Sequence, residues 1–407
     1  MRRKRFLLVP GNSSLSHIAK CLAIAEVLLS RGHEACIAVG KKHAPFLTKL
    51  GMDYAVLPDI QESDDSGVPS VEWFRNPARI VDCIHAEVSL IKEYQPDRVL
   101  GVFRFTLKAA AFLMDVPCDS LICGCMIPDS QEVLGFANDE PGRNEQGIIL
   151  DGFFRYAGSR MDAAFIALEL GKVIRDIRHM LKGDRTFLWD FPEFMPVPLD
   201  PGVIHVGPLP WKHWPYDPVD VDILEEAGDP LAVVSFGTCT VSLPCVQRLI
   251  EVLLDLGYRV LVAAGGHKEF LNIMPSVPRV VTCVFAPLHK IFLHAALLLT
   301  HGGQLTVFEA LQNRVPVVVM PFQPEQAHNG VCLERIGCGI RLIPPQLFRG
   351  NAKVYEEALA CMTDDQIKSR ITGLVSDPRT APRLADAANT IGRYGGVEKI
   401  VIHLEET

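Results

Sequence analysis

An apolar run, Leu297-Leu298-Leu299, reaches Thr300-His301-Gly302-Gly303 and continues as Gln304-Leu305-Thr306-Val307-Phe308-Glu309-Ala310-Leu311. The pattern reads as a buried strand, a glycine turn and a helix. Glycines at such a turn let a ligand approach the backbone, and the first helical N–H groups, which have no intrahelical partner, suit an anion. His301 at the strand tip is placed to donate to a phosphate oxygen. Thr306 in the first turn adds a hydroxyl, and Glu309, two turns past His301, suits ribose hydroxyls as an acceptor. A purely structural turn is the competing reading of the same residues.

A second candidate stands near the start. His17 closes the segment Pro10-Gly11-Asn12-Ser13-Ser14-Leu15-Ser16-His17 behind a short apolar run, Phe6–Val9. A histidine at a helix start is a potential general base, and equally a capping or solvated residue. Asp220-Val221-Asp222 has the form of a metal-binding DxD, but it lies among prolines and aspartates with no strand before it, so it reads as solvated loop. The twelve cysteines are scattered, with no CxxC and Cys123 and Cys125 as the closest pair. Zinc and redox motifs are therefore unsupported, and free thiols in a reducing cytoplasm are expected. No metal site is expected.

These residues need rigid elements behind them. Strand 6–9, helix 16–30 and strand 34–39 form a βαβ unit, its helix carrying Ile18, Leu22, Ala25 and Leu29 at helical spacing and ending at Arg31-Gly32. An amphipathic helix over 76–94 leads through Gln95-Pro96-Asp97 into strand 98–103. Residues 59–70 read as an acidic surface loop, and 130–200 as irregular with helix near 158–181. After a Pro- and Asp-rich stretch comes a second α/β series: strand 231–236, helix 242–256, and strands 259–264, 280–285 and 297–300. Helix 303–313, strand 315–320 and helix 325–336 complete it. Strands alternating with helices on both sides of a linker predict two doubly wound parallel sheets. At 407 residues the chain is long enough for two domains. Its net charge of −8 argues against nucleic acid. No run of 18 apolar residues predicts a membrane span.

The segment after Leu297 resembles the donor signature of family 1 glycosyltransferases, the UDP-glycosyltransferases of GT-B architecture. The resemblance rests on His301-Gly302-Gly303, Glu309, Arg314-Val315-Pro316, Pro321, Glu325-Gln326 and Asn329. It implies that Glu325 and Gln326 hold adjacent hexose hydroxyls, since a carboxylate accepts and an amide both donates and accepts. Ser235-Phe236-Gly237-Thr238 resembles the turn whose backbone meets the diphosphate. Phe285-Ala286-Pro287 stands where the family stacks an aromatic ring on the base. Leu288, Leu305, Arg314 and Pro324 depart from the family pattern and leave the nucleotide and sugar open. The Gly11–His17 segment resembles the family's catalytic loop and puts His17 on its base, with Ser16 and Lys20 where glycine and proline are usual. Val102 occupies the position of the carboxylate that orients the base in plant members, which leaves Asp119 and Asp129 as substitutes. Gly395-Gly396-Val397-Glu398 is similar to the family's terminal helix.

The resemblance implies a GT-B fold: an acceptor-binding Rossmann-like domain over 1–210, a linker over 211–230, a donor-binding domain over 231–385 and a terminal helix over 386–407 packing back on the first domain. The two domains are expected to face a central cleft. The implied activity is inverting, metal-independent transfer of a hexose from a UDP- or dTDP-sugar to a hydroxyl of a small molecule or lipid. The nucleotide sugar is a co-substrate and no cofactor is implied. Cytoplasmic location, with peripheral membrane contact at most, is expected. A nucleotide-sugar epimerase of the same architecture and a catalytically silent partner protein are the alternatives.

Overall fold

In the computed structural model, residues 2–11, 15–58, 75–128, 130–171, 173–213, 228–238, 241–265, 267–274 and 277–406 are described. The chain forms two compact units. One comprises residues 1–131, 148–211 and 394–407, the other 132–147 and 212–393.

The first unit runs β1 (Arg5–Pro10), α1 (Leu15–Ser30), β2 (Glu34–Val39), α2 (Ala44–Leu50), β3 (Tyr54–Val56), α3 (Pro77–Tyr94), β4 (Arg98–Val102), α4 (Leu107–Leu113) and β5 (Cys118–Ile122). It continues through helix α5 (Arg143–Ala167), which begins in residues of the other unit, then β6 (Thr186–Leu188) and β7 (Val203–His205). Its seven strands pair in parallel in the order β3-β2-β1-β4-β5-β6-β7. The second unit comprises β8 (Leu231–Ser235), α6 (Leu243–Asp255), β9 (Arg259–Ala263), β10 (Val280–Cys283), α7 (Leu288–Ile291) and β11 (Ala295–Thr300). After these come α8 (Gln304–Gln312), β12 (Val317–Val319), α9 (Pro324–Ile336), β13 (Gly339–Arg341), α10 (Lys353–Ala360), α11 (Asp364–Ser376) and α12 (Thr380–Ile391). Its six-stranded parallel sheet has the order β10-β9-β8-β11-β12-β13. The last helix, α13 (Gly396–Glu405), belongs to the first unit.

The strands are nearly continuous apolar runs because helices cover both faces of each sheet. Phe6 to Val9, Leu231 to Val234 and Leu297 to Leu299 are all within 2% of full burial. In both sheets the strand order reverses beside the first strand, between β1 and β4 and between β8 and β11. Ligands of open parallel sheets bind beyond the carboxyl ends of strands at such a reversal. Gly11 and Phe103 follow β1 and β4, and Phe236-Gly237 and His301 follow β8 and β11.

Two local expectations are corrected. Helix α5 lies over 143–167 and a short 3-10 turn over 177–181, so the helical stretches expected near 158–181 are present but the main one begins earlier. In α1 the buried stripe ends on Leu28, while Leu29 is 42% exposed. The helix is covered by α13 as well as by its sheet, so the single-stripe pattern no longer applies. Asp220-Val221-Asp222, the acidic loop 59–70 and Asp129 lie outside the described residues.

Candidate functional site

In the second unit, β11 delivers Thr300 fully buried and His301 half-buried to the sheet end. Gly302 follows at φ +96°, where a β-carbon would sit 2.8 Å from both the Gln326 carbonyl oxygen and Val319 Cγ1. Any larger residue would meet both the left-handed backbone penalty and a clash. The His301 ring lies over Gly303 and Gly237, whose added β-carbons would come within 2.5 Å of its Nε2 and 3.1 Å of its Cε1. The ring therefore occupies space that the two glycine turns leave open. Its Nδ1 lies 3.4 Å from Thr300 Oγ1. Burial pushes the imidazole down to about 4, against the pull of the Glu325 charge and the Ser235 carbonyl. At neutral pH the ring is thus uncharged.

Helix α8 starts immediately after this turn. Gly303 caps it with extended backbone and no side-chain hydrogen bond. Its first-turn N–H groups and the positive end of its dipole lie beside His301. Thr306 is half-buried in that turn and Thr238 is exposed after β8. Glu309 is half-buried, and among the described residues its carboxylate makes no hydrogen bond or ion pair. Burial pushes it up to about 7, with the nearby charge of Lys212 acting the other way. A carboxylate left without donors suits hydroxyls that a ligand brings. Half-buried Phe285 and buried Ala286 follow β10.

Helix α9 carries the remaining candidates. Glu325 stands in its first turn and accepts from Asn329 Nδ2 at 2.8 Å; the same amide nitrogen donates to the Gly302 carbonyl at 2.8 Å. Asn329 is fully buried, so it is a brace that ties α9 to the glycine turn and aims Glu325. Gln326 is also buried, and its Oε1 accepts from the Phe322 N–H at 2.9 Å. The second unit thus brings Gly237, His301, Gly302, Gly303, Glu325, Gln326 and Asn329 into mutual contact. Gly265 was missed: a β-carbon there would strike the Gly237 carbonyl oxygen. Lys212 was missed too, since its charge reaches Glu309 from a stretch that reads only as linker.

In the first unit, His17 sits in the first turn of α1. Its Nδ1 lies 3.1 Å from the Gly11 carbonyl oxygen, an acceptor, so Nδ1 carries the proton and Nε2 keeps its lone pair. The ring stacks on Phe103 at 5.3 Å between centroids and tilts against Trp189 at 5.8 Å. Phe103 holds a left-handed φ of +54°, a strained state for a residue with a side chain. Burial pushes His17 down to about 3, and the charge of Lys20 adds to this, against the Gly11 carbonyl. Val102 is fully buried at the end of β4. Asp119 does not serve as the orienting carboxylate, because Arg98 and Arg185 bind both of its oxygens. Phe154 and Phe165 are core residues. Among the described residues, no group of three or more His, Cys, Asp or Glu could hold a metal ion, and no helix is long and apolar enough to cross a membrane.

Residues 180–374 match the family model described as UDP-glucoronosyl and UDP-glucosyl transferase. The chain is 31% identical over 167 residues to demethyllactenocin mycarosyltransferase of Streptomyces fradiae, a match covering 41% of this chain and 36% of that protein. Against the PGL/p-HBAD biosynthesis rhamnosyltransferase of Mycobacterium bovis it is 24% identical over 354 residues, covering 84% of this chain and 77% of the relative. The glycotransferase of kitacinnamycin superposes with a TM-score of 0.76 at 19% identity, covering 100% of this chain and 99% of the other. Spinosyn rhamnosyltransferase SpnG complexed with thymidine diphosphate superposes with a TM-score of 0.68 at 15% identity, covering 99% and 100%. Residues 180–374, which include the glycine turn and α9, thus resemble the family 1 glycosyltransferases, and the two Rossmann-like units have the GT-B fold of the solved structures.

Proposed function

We propose that this chain transfers a hexose from a nucleoside diphosphate to a hydroxyl of a small-molecule or lipid acceptor, with inversion and without a metal. The observation that carries the reading is the second unit's turn, where His301 is seated between Gly237 and Gly303 above the uncapped start of α8. That arrangement offers backbone N–H groups and a protonatable ring to the leaving diphosphate as its charge grows. Glu309 would hold the ribose, Phe285 the base, and Glu325 with Gln326 the sugar. His17, with Nε2 as its free lone pair, would receive the acceptor proton.

The identity of the donor is read from relatives. One solved neighbour is named as a complex with thymidine diphosphate, and the sequence relatives are named for mycarosyl and rhamnosyl transfer. A dTDP-deoxyhexose is therefore the first donor to try, with a UDP-hexose second.

Thermal denaturation with dTDP, UDP and GDP tests the donor half. Stabilisation by dTDP or UDP, absent in His301→Ala, is the expected result, and no stabilisation by any nucleotide would favour the silent-partner reading. Mass spectrometry of reactions with the stabilising donor separates glycoside formation from conversion of the sugar alone, which an epimerase would give.

A further inference from the structure

Residues 132–147 belong to the second unit, although the chain before and after them belongs to the first. Three of their carboxylates pair with arginines of the second unit. Glu132 accepts from Arg335 at 2.8 Å, Glu140 from Arg341 at 2.6 Å and Glu145 from Arg349 at 2.6 Å. The Glu145 pair is exposed, where an ion pair contributes little. The Glu140 pair is of another kind. Arg341 is 6% exposed, and all five of its N–H donors find acceptors. Nε and Nη2 donate to Glu334 of α9 at 3.0 and 2.7 Å. Nη2 and Nη1 also donate to the two oxygens of Glu140, at 2.6 and 3.0 Å, and Nη1 to the Gly135 carbonyl at 3.0 Å. The stem of Arg341 crosses α9 at Gly330, where an added β-carbon would strike Arg341 Cγ. Glycine inside a helix costs about 1 kcal/mol against alanine, and this crossing accounts for one here.

The carbonyl that Arg341 holds belongs to a turn lying against the start of α9. Gly135 is buried at φ +88°, and a β-carbon on it would stand 3.2 Å from Ala327 Cβ and 3.8 Å from the Pro324 carbonyl oxygen. Pro324 and Ala327 flank Glu325 and Gln326 in sequence. That first helical turn has weak local support, since Gln323 caps it without a side-chain hydrogen bond and Pro324 has no N–H. Its position is set by what packs on it, with Asn329 acting within the helix and Gly135 from outside it.

We propose that residues 132–147 position the first turn of α9, with Glu140 and Arg341 as positioning residues, and thereby govern recognition of the donor's hexose rather than of its nucleotide. The inference rests on the transferase reading above, which gives the hexose to Glu325 and Gln326. Phe285, Glu309 and His301, assigned to base, ribose and diphosphate, stand on other elements. Glu140 is the informative member of the pair. Removing its charge frees Gly135 from α9 while Glu334 still holds Arg341, so the tie between α9 and β13 survives.

Calorimetry on the full chain separates hexose from nucleotide. The ligands are dTDP and whichever of dTDP-rhamnose and dTDP-glucose the wild type binds more tightly. Glu140→Gln should weaken the sugar nucleotide about tenfold and change dTDP by less than about twofold, as expected of a displaced positioning group. Glu140→Asp, which keeps the carboxylate, should recover most of the loss. Gly135→Ala, which pushes on Ala327 directly, should give the same split and carries the test if Glu140→Gln does not fold. Equal weakening of both ligands, or of neither, overturns the positioning role and leaves the transferase reading standing. Wild-type chain that binds dTDP but neither sugar nucleotide also overturns it. Wild-type chain that binds no ligand removes the donor reading and this inference together.

Discussion

Glu309 is held at an energetic disadvantage that a ligand would relieve. Its carboxyl is raised to about 7 from an ordinary 4.5 by burial, so the folded chain binds its proton more tightly than the unfolded chain. A raised acid contributes stability that is complete below 4.5 and lost as pH climbs through 7. Glu309→Gln should therefore raise the melting midpoint at pH 8 by about 2–4 °C and leave it unchanged near pH 4. The same variant should weaken dTDP binding about tenfold by calorimetry, since a hydrogen bond to a charged group contributes about 1.5–3 kcal/mol. Higher stability with unchanged nucleotide affinity would remove Glu309 from the ribose role. At this scale the sequence was informative where chemistry and backbone geometry coincide, as at His301-Gly302-Gly303. It was silent on Lys212, whose importance comes from the distant residue the fold sets beside it, Glu309.

The glycine turn and α9 behave as one element pair. A β-carbon at Gly302 would strike the Gln326 carbonyl, and Asn329 bonds back to the Gly302 carbonyl. Gly302→Ala must push α9 away or rotate the turn, and is expected to cost at least about 1–3 kcal/mol of stability and to abolish nucleotide-dependent stabilisation. Asn329→Ala leaves Glu325 and the Gly302 carbonyl without their donor and should destabilise by about 1–3 kcal/mol. Denaturant melts with and without dTDP check both, and a Gly302→Ala chain that still binds dTDP normally would exclude the turn from the site. Elements with strong periodicity were legible: the expected strand 34–39 is β2 and the expected helix 76–94 is α3. Helix α5 was not, because its apolar residues show almost no one-sided pattern.

At the scale of the whole molecule, the first unit is closed by α13. Ile400, Val401 and Leu404 are fully buried, and Glu405 accepts from Arg31 and from His33 at 3.0 Å. Burial works against ionisation of Glu405, but the bonds and charges of His33 and Arg31 outweigh it and hold its carboxyl below the usual range. A depressed carboxylate contributes stability above its unfolded value that is lost as pH falls through the folded one. Glu405→Gln should lower the midpoint at pH 7 and narrow the gap to wild type as the pH is taken below 4.5. A pH-independent difference would assign the loss to packing alone. The paired sheet topologies were legible from alternating strands and helices, whereas the place of residues 132–147 in the second unit was not.

That partition has a practical consequence for synthesis and for recombination. The polypeptide passes from one unit to the other after residues 131, 147, 211 and 393. A ribosome must therefore deliver nearly the entire chain before the first unit can acquire α13. Residues 132–147 wait for their ion-pair partners, since Arg335 and Arg341, which bind Glu132 and Glu140, are made about 200 residues later. Units exchanged with a relative at a single junction near residue 211 would each carry one foreign segment. A working chimera needs four junctions.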